Sequence, residues 1–127
     1  MDPEATRAAG ASAAWFHELA GLGHDEIARR CSPQALARLQ AHVAICLTGC
    51  VPPAALSPAQ FAETVLDLQA SEHRWHGALM AAVIRADDQA LAGQVEEAQH
   101  TLHAFAQVCP WVPFQAAARG QAALLQG

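Results

Sequence analysis

Two serine–proline pairs, Ser32–Pro33 and Ser57–Pro58, fix where this chain must begin a helix. A serine hydroxyl at the cap accepts from a first-turn backbone N–H that has no other partner. Proline at the first helical position loses nothing, because its missing N–H would have been unpaired there anyway. After Ser57, Gln60 completes an S-x-x-Q capping box. Apolar residues then follow each start at helical spacing. Leu36, Leu39, Val43, Leu47 and Cys50 make one stripe, and Phe61, Val65, Leu68, Trp75, Leu79 and Val83 make the next. Pro52 and Pro53 stand between them and exclude one continuous helix.

The remaining segments follow the same pattern. Pro3 to Leu22 is alanine-rich and anchored by Trp15, Phe16, Leu19 and Leu22, with residues 1–12 expected to fray. Gly21 and Gly23 interrupt it before a short helix through Ile27 to Arg30. The helix from Pro58 is expected to reach about Ala86, with Gly77 as a point of kinking and "RADDQ" as the next corner. The following helix carries Leu91, Val95, Ala98, Leu102, Phe105 and Cys109. "CPWVPF" stops it, and a last helix runs from about Pro113 to Leu125. Alanine is the best helix former, while the absence of tyrosine and the scarcity of valine and isoleucine leave little for strands. The expected fold class is all-α. Five to six helices form a compact bundle or stacked helical hairpins, in a single domain spanning 1–127.

Composition narrows the function. A hydrophobic share of 53% against 15% charged residues excludes disorder driven by charge. The net charge is −5 and every cation is an arginine, scattered apart from Arg29–Arg30. No basic patch marks a nucleic-acid surface, so nucleic acid is an unlooked-for partner. No stretch approaches the roughly 20 apolar residues of a membrane span. The start, "MDPEATRAAG", lacks a secretory pattern. The expected location is the cytoplasm, and the lack of lysine beside abundant Ala, Arg, Gly and Pro suggests a bacterium with a GC-rich genome. Four cysteines are few for a disulfide framework and fit buried thiols.

Three groups invite a chemical reading. "EEAQHTLH" steps through Glu97, His100 and His103, yet successive residues turn by about 100° around a helix, so these three diverge, mostly toward water. Glu72 falls inside the apolar stripe between Leu68 and Trp75, with His76 at its edge. A buried carboxylate is costly unless paired. Glu72, Trp75 and His76 are therefore the candidate ligand-binding group, against a local Glu72–His76 or Glu72–Arg74 contact. His42, Cys46 and Cys50 recur at i+4 steps and form the candidate metal group, although all three span about two turns and zinc sites normally pair tight knuckles. No cofactor is expected; zinc or iron is the alternative that this group leaves open. Catalysis has less behind it. Cys109 closes a helix instead of opening one, and neither a Ser–His–Asp order nor a phosphate loop occurs.

Two segments resemble known families. "DEIARRCSPQALARL", Asp25 to Leu39, resembles the helix-turn-helix of bacterial regulators, with only Cys31 between Arg30 and Ser32 where that family has a longer turn. The resemblance implies Gln34 and Arg38 facing a DNA groove. "GQVEEAQHTLHAFAQVCP" resembles the second helix of a tetratricopeptide repeat, with Gly93, Val95, Ala98, Leu102 and Pro110 at family spacing and Phe105 where a small residue is usual. It extends from about Ala78 to Leu124. It implies stacked hairpins whose groove binds a peptide or partner helix. The leading expectation is a non-enzymatic protein-interaction module, an adaptor or chaperone-like protein, self-associating or binding a protein or peptide through Trp15, Trp111 and Phe114. The alternatives are a metal- or small-ligand-binding bundle and a DNA-binding regulator.

Overall fold

The computed structural model describes residues 3–125, without the side chains of residues 5 and 6. Residues 1 and 2 of the segment expected to fray lie outside the described residues. The fold is all-α: among the described residues there are six helices and no β-strand. They are α1 (Pro3–Ala20), α2 (His24–Arg29), α3 (Pro33–Cys46), α4 (Pro58–Leu91), α5 (Val95–Val108) and α6 (Val112–Leu124). No described helix is long and apolar enough to cross a membrane. Chain contacts group into two compact units, Met1–Ser71 and Glu72–Gly127, with the division inside α4.

Both serine starts operate as their sequences require. Ser32 Oγ accepts from the Ala35 N–H at 3.0 Å. At Ser57 the box is reciprocal: the Gln60 N–H donates to Ser57 Oγ at 3.2 Å, and the Ser57 N–H donates to Gln60 Oε1 at 2.9 Å. In the first unit α1 packs on α3. Phe16, Leu19 and Ala20 are buried on α1, and Leu39, His42, Val43 and Cys46 on α3. Ile27 of α2 and Phe61, Ala62 and Val65 of α4 are also buried.

The corner expected at "RADDQ" is absent. α4 continues through Ala86–Asp88 to Leu91, so Leu91 ends α4 and does not open α5, and Gly77 does not interrupt it. The stop is a Schellman closure two residues later. Gly93 adopts φ 83°, the Gly93 N–H donates to the Ala90 carbonyl at 3.0 Å, and the Gln94 N–H donates to the Gln89 carbonyl at 2.8 Å. Asp87 and Asp88 do not break a helix already propagating; a left-handed residue does, and glycine takes that conformation without a steric penalty.

In the second unit α5 and α6 pack together across Cys109–Trp111. Ala86 of α4, Ala98 and Leu102 of α5 and Ala122 of α6 form its core, with Val83, Ala90 and Leu125 against it. Glu96 and Glu97 in the first turn of α5 face the partial positive charge of that helix end. Val95, placed on the packing stripe by spacing alone, is exposed.

Candidate interaction surface

Glu72, Trp75 and His76 lie on α4 in the second unit. Glu72 and Trp75 are half-buried, while His76 is exposed. Trp75 meets Phe105 of α5 edge-on, with ring centroids 6.1 Å apart. His76 lies 5.6 Å from Phe114 of α6, and Phe114 lies 6.3 Å from Trp111. The structure thus joins one residue of the candidate ligand group to two of the candidate partner group. Their roles differ from the expectation, because Trp111 is only 1% exposed. A buried indole cannot meet a partner, so Trp111 backs Phe114 from within. Trp111 stands at the cap of α6, in the connection between Pro110 and Pro113.

Trp15 belongs to the first unit. It is half-buried, and the Arg38 guanidinium lies 4.8 Å above its ring. With Glu18, Leu19, Leu22, Arg30 and Ala35 these two side chains line a cleft of about 260 Å³. Arg29 and Arg30 both reach Glu26, at 3.0 and 3.4 Å. The arginines of the helix-turn-helix-like segment are therefore engaged locally, with Arg38 over an indole and the other two on one carboxylate.

His42, Cys46 and Cys50 do not form a group. His42 is 1% exposed and its ring stacks on Phe16 with centroids 4.5 Å apart and planes 13° from parallel. Its Nδ1 lies 2.7 Å from Ser12 Oγ and 3.7 Å from Cys46 Sγ. Cys50 is exposed beyond the helix end. The i+4 series stops because α3 stops: Leu47 is already extended, and Gly49 sits at φ 76°. Among the described residues no three His, Cys, Asp or Glu side chains are arranged to hold a metal ion. Sequence reasoning passed over Ser12. Its signal was a polar residue one turn before Phe16, on the same face of an alanine-rich helix.

The cysteines separate in reactivity. Cys46 and Cys109 are buried, Cys31 is half-buried and Cys50 is exposed. Burial pushes the Cys109 thiol above its ordinary pKa, opposed only in part by a backbone hydrogen bond at Trp111. We expect iodoacetamide at neutral pH to modify Cys50 first and leave Cys46 and Cys109 largely protected in the folded protein. Peptide mass spectrometry gives the order. Cys109 reacting as fast as Cys50 would show that the α5–α6 connection opens.

Glu97 and His100 do share a shallow cleft, with Arg85, Gln89, Glu96 and Thr101. Thr101 Oγ1 lies 2.7 Å from Gln89 Oε1 and 3.0 Å from the Glu97 carbonyl. His103 is exposed outside it. Glu97, His100 and His103 all face solvent, as their divergence around the helix implies.

The feature that the apolar stripes concealed lies on the neighbouring face of α4. Met80, Ile84 and Leu91 are 42%, 61% and 87% exposed. Their spacing sets them within about 40° of one another around the helix. With His73, Gly77 and Asp87 they complete a heptad ridge, which places three large apolar side chains on one solvent-facing line. Isolated exposed apolar residues are ordinary, whereas these three are aligned. The signal was present in the sequence, but Leu79 and Val83 lie between these residues and account for the helix as a core element.

Compared with protein-family models, curated proteins and solved structures, the chain matches none.

Proposed function

We propose that this chain is a non-enzymatic helical interaction module that docks a partner helix along the exposed ridge of α4. The observation that carries the reading is the alignment of Met80, Ile84 and Leu91 in water, on a helix whose adjoining face already supplies Leu79 and Ala86 to the core. A helix with one buried face gains nothing for its own fold from a second apolar line. Burial of that line against another helix removes apolar surface from water at about 25 cal/mol per Å². Helix-on-helix recognition reads anchors of this kind, here at i, i+4 and i+11 of one heptad ridge. Phe114, half-buried and backed by Trp111, offers a further apolar contact in the same unit.

Photo-crosslinking tests the assignment. A crosslinking residue placed at Ile84 is expected to give discrete adducts in cells making the protein at native level, and one placed at exposed Gln107 on α5 to give none. Equal yields at both positions, or none at either, would remove the reading.

A further inference from the structure

We infer that the occupant of the α4 ridge is a second copy of this chain, packed antiparallel about a two-fold axis beside Ala81; the inference rests on the docking reading above. The ridge is self-complementary, as an isologous interface requires. Arg74 and Asp88 lie one heptad before and after Ala81, on the flank of the ridge that Ala81 itself occupies, and all three are exposed. In antiparallel pairing, equivalent flanks of the two helices face each other. Arg74 of one copy then stands beside Asp88 of the other, and symmetry repeats the pair. A parallel copy sets equal heights side by side, which brings the acidic Asp87–Asp88 ends together and gives neither Arg74 nor Asp88 an opposite partner.

The apolar side chains agree with this register. Ala81 at the crossing lets the two helices approach closely, and Met80 and Ile84 of each copy interleave on either side of the axis. Asp87, the acidic member of the ridge, comes opposite Gly77 of the second copy, which places no side chain against it. Arg85 does not upset the charge pattern, because it turns away into the cleft with Glu96 and Glu97. A foreign helix would have to carry small, apolar and opposite charges in this order; the chain already carries them.

Sedimentation equilibrium on the full chain tests the register. We expect a concentration-dependent dimer. Each of Arg74→Glu and Asp88→Arg turns two attractive pairs into two repulsive ones, and each should weaken self-association about tenfold. The double variant should return to within about threefold of the parent, because both pairs reform with reversed sign. Both positions are exposed, so circular dichroism should report an unchanged helical fold. A chain that sediments as a monomer at every concentration, or a dimer indifferent to both reversals, would overturn the proposal. If that monomer still gives Ile84 adducts with another protein, the second copy is ruled out while the docking surface stands; a monomer without adducts removes both.

Discussion

Phe16→Ala is expected to cost the first unit about 3–5 kcal/mol of stability, the range for deleting a fully buried aromatic ring. Phe16 is 0% exposed. Its ring is the platform on which the His42 imidazole lies, with centroids 4.5 Å apart. Truncation therefore removes more than transfer free energy. It leaves a cavity between α1 and α3, and one face of a buried imidazole loses its contact while its Nδ1 is still held 2.7 Å from Ser12 Oγ. That hydrogen bond fixes the ring, so it cannot swing into the gap. Against a total stability of about 5–15 kcal/mol for a domain, the loss should be a large fraction. Urea denaturation followed by far-ultraviolet circular dichroism measures it, and the thermal midpoint should fall on the order of 10 °C or more. A loss below about 1 kcal/mol would mean that α1 does not pack on α3 through this ring.

Leu102→Ala is expected to cost about 2–5 kcal/mol, toward the upper part of the range for a buried leucine. The neighbours decide this. Leu102 is 1% exposed among Ala86, Ala98 and Ala122, all at 0–1%. The three alanines have no rotamers with which to fill a void, so relaxation falls to Val83 and Leu125 at the edge of the cluster or to movement of the helices. Leu124→Ala near the end of α6 makes the same chemical change at 74% exposure and should stay within about 0.5 kcal/mol. The pair compares one substitution in two surroundings. Similar losses at both sites would contradict the assignment of Leu102 to the core and of Leu124 to solvent.

The helix starts were legible because their physics is local. A serine hydroxyl, the next residue's fixed φ and a glutamine three residues on act within one turn, so "CSPQAL" and "LSPAQF" specify their structure wherever they occur. The end of α4 was less legible for a related reason. Asp87 and Asp88 resemble turn residues, but nothing in them compels a turn, and the compelling residue, Gly93, could equally open the next helix.

The candidate site divided in the same way. The divergence of Glu97, His100 and His103 follows from helical rotation alone, and all three are exposed. The distribution of Trp15, Trp111 and Phe114 does not, since which aromatic is covered depends on what packs over it. Trp111 is enclosed near Pro110 and Pro113, whereas Trp15 is covered by an arginine from α3. His42 and Cys46 needed only a shared helix to meet; Ser12 and Phe16 reached them only because α1 lies on α3.

The sequence by itself determined that this chain is helical, where most of its helices begin and which stripes they bury, because caps, prolines and apolar periodicity act over a few residues. Only the tertiary structure decided which apolar positions remained in water. Met80 and Leu79 are adjacent large apolar residues, and one is exposed while the other is buried. A helix has more faces than its neighbours can cover, and that choice is made by packing across the fold.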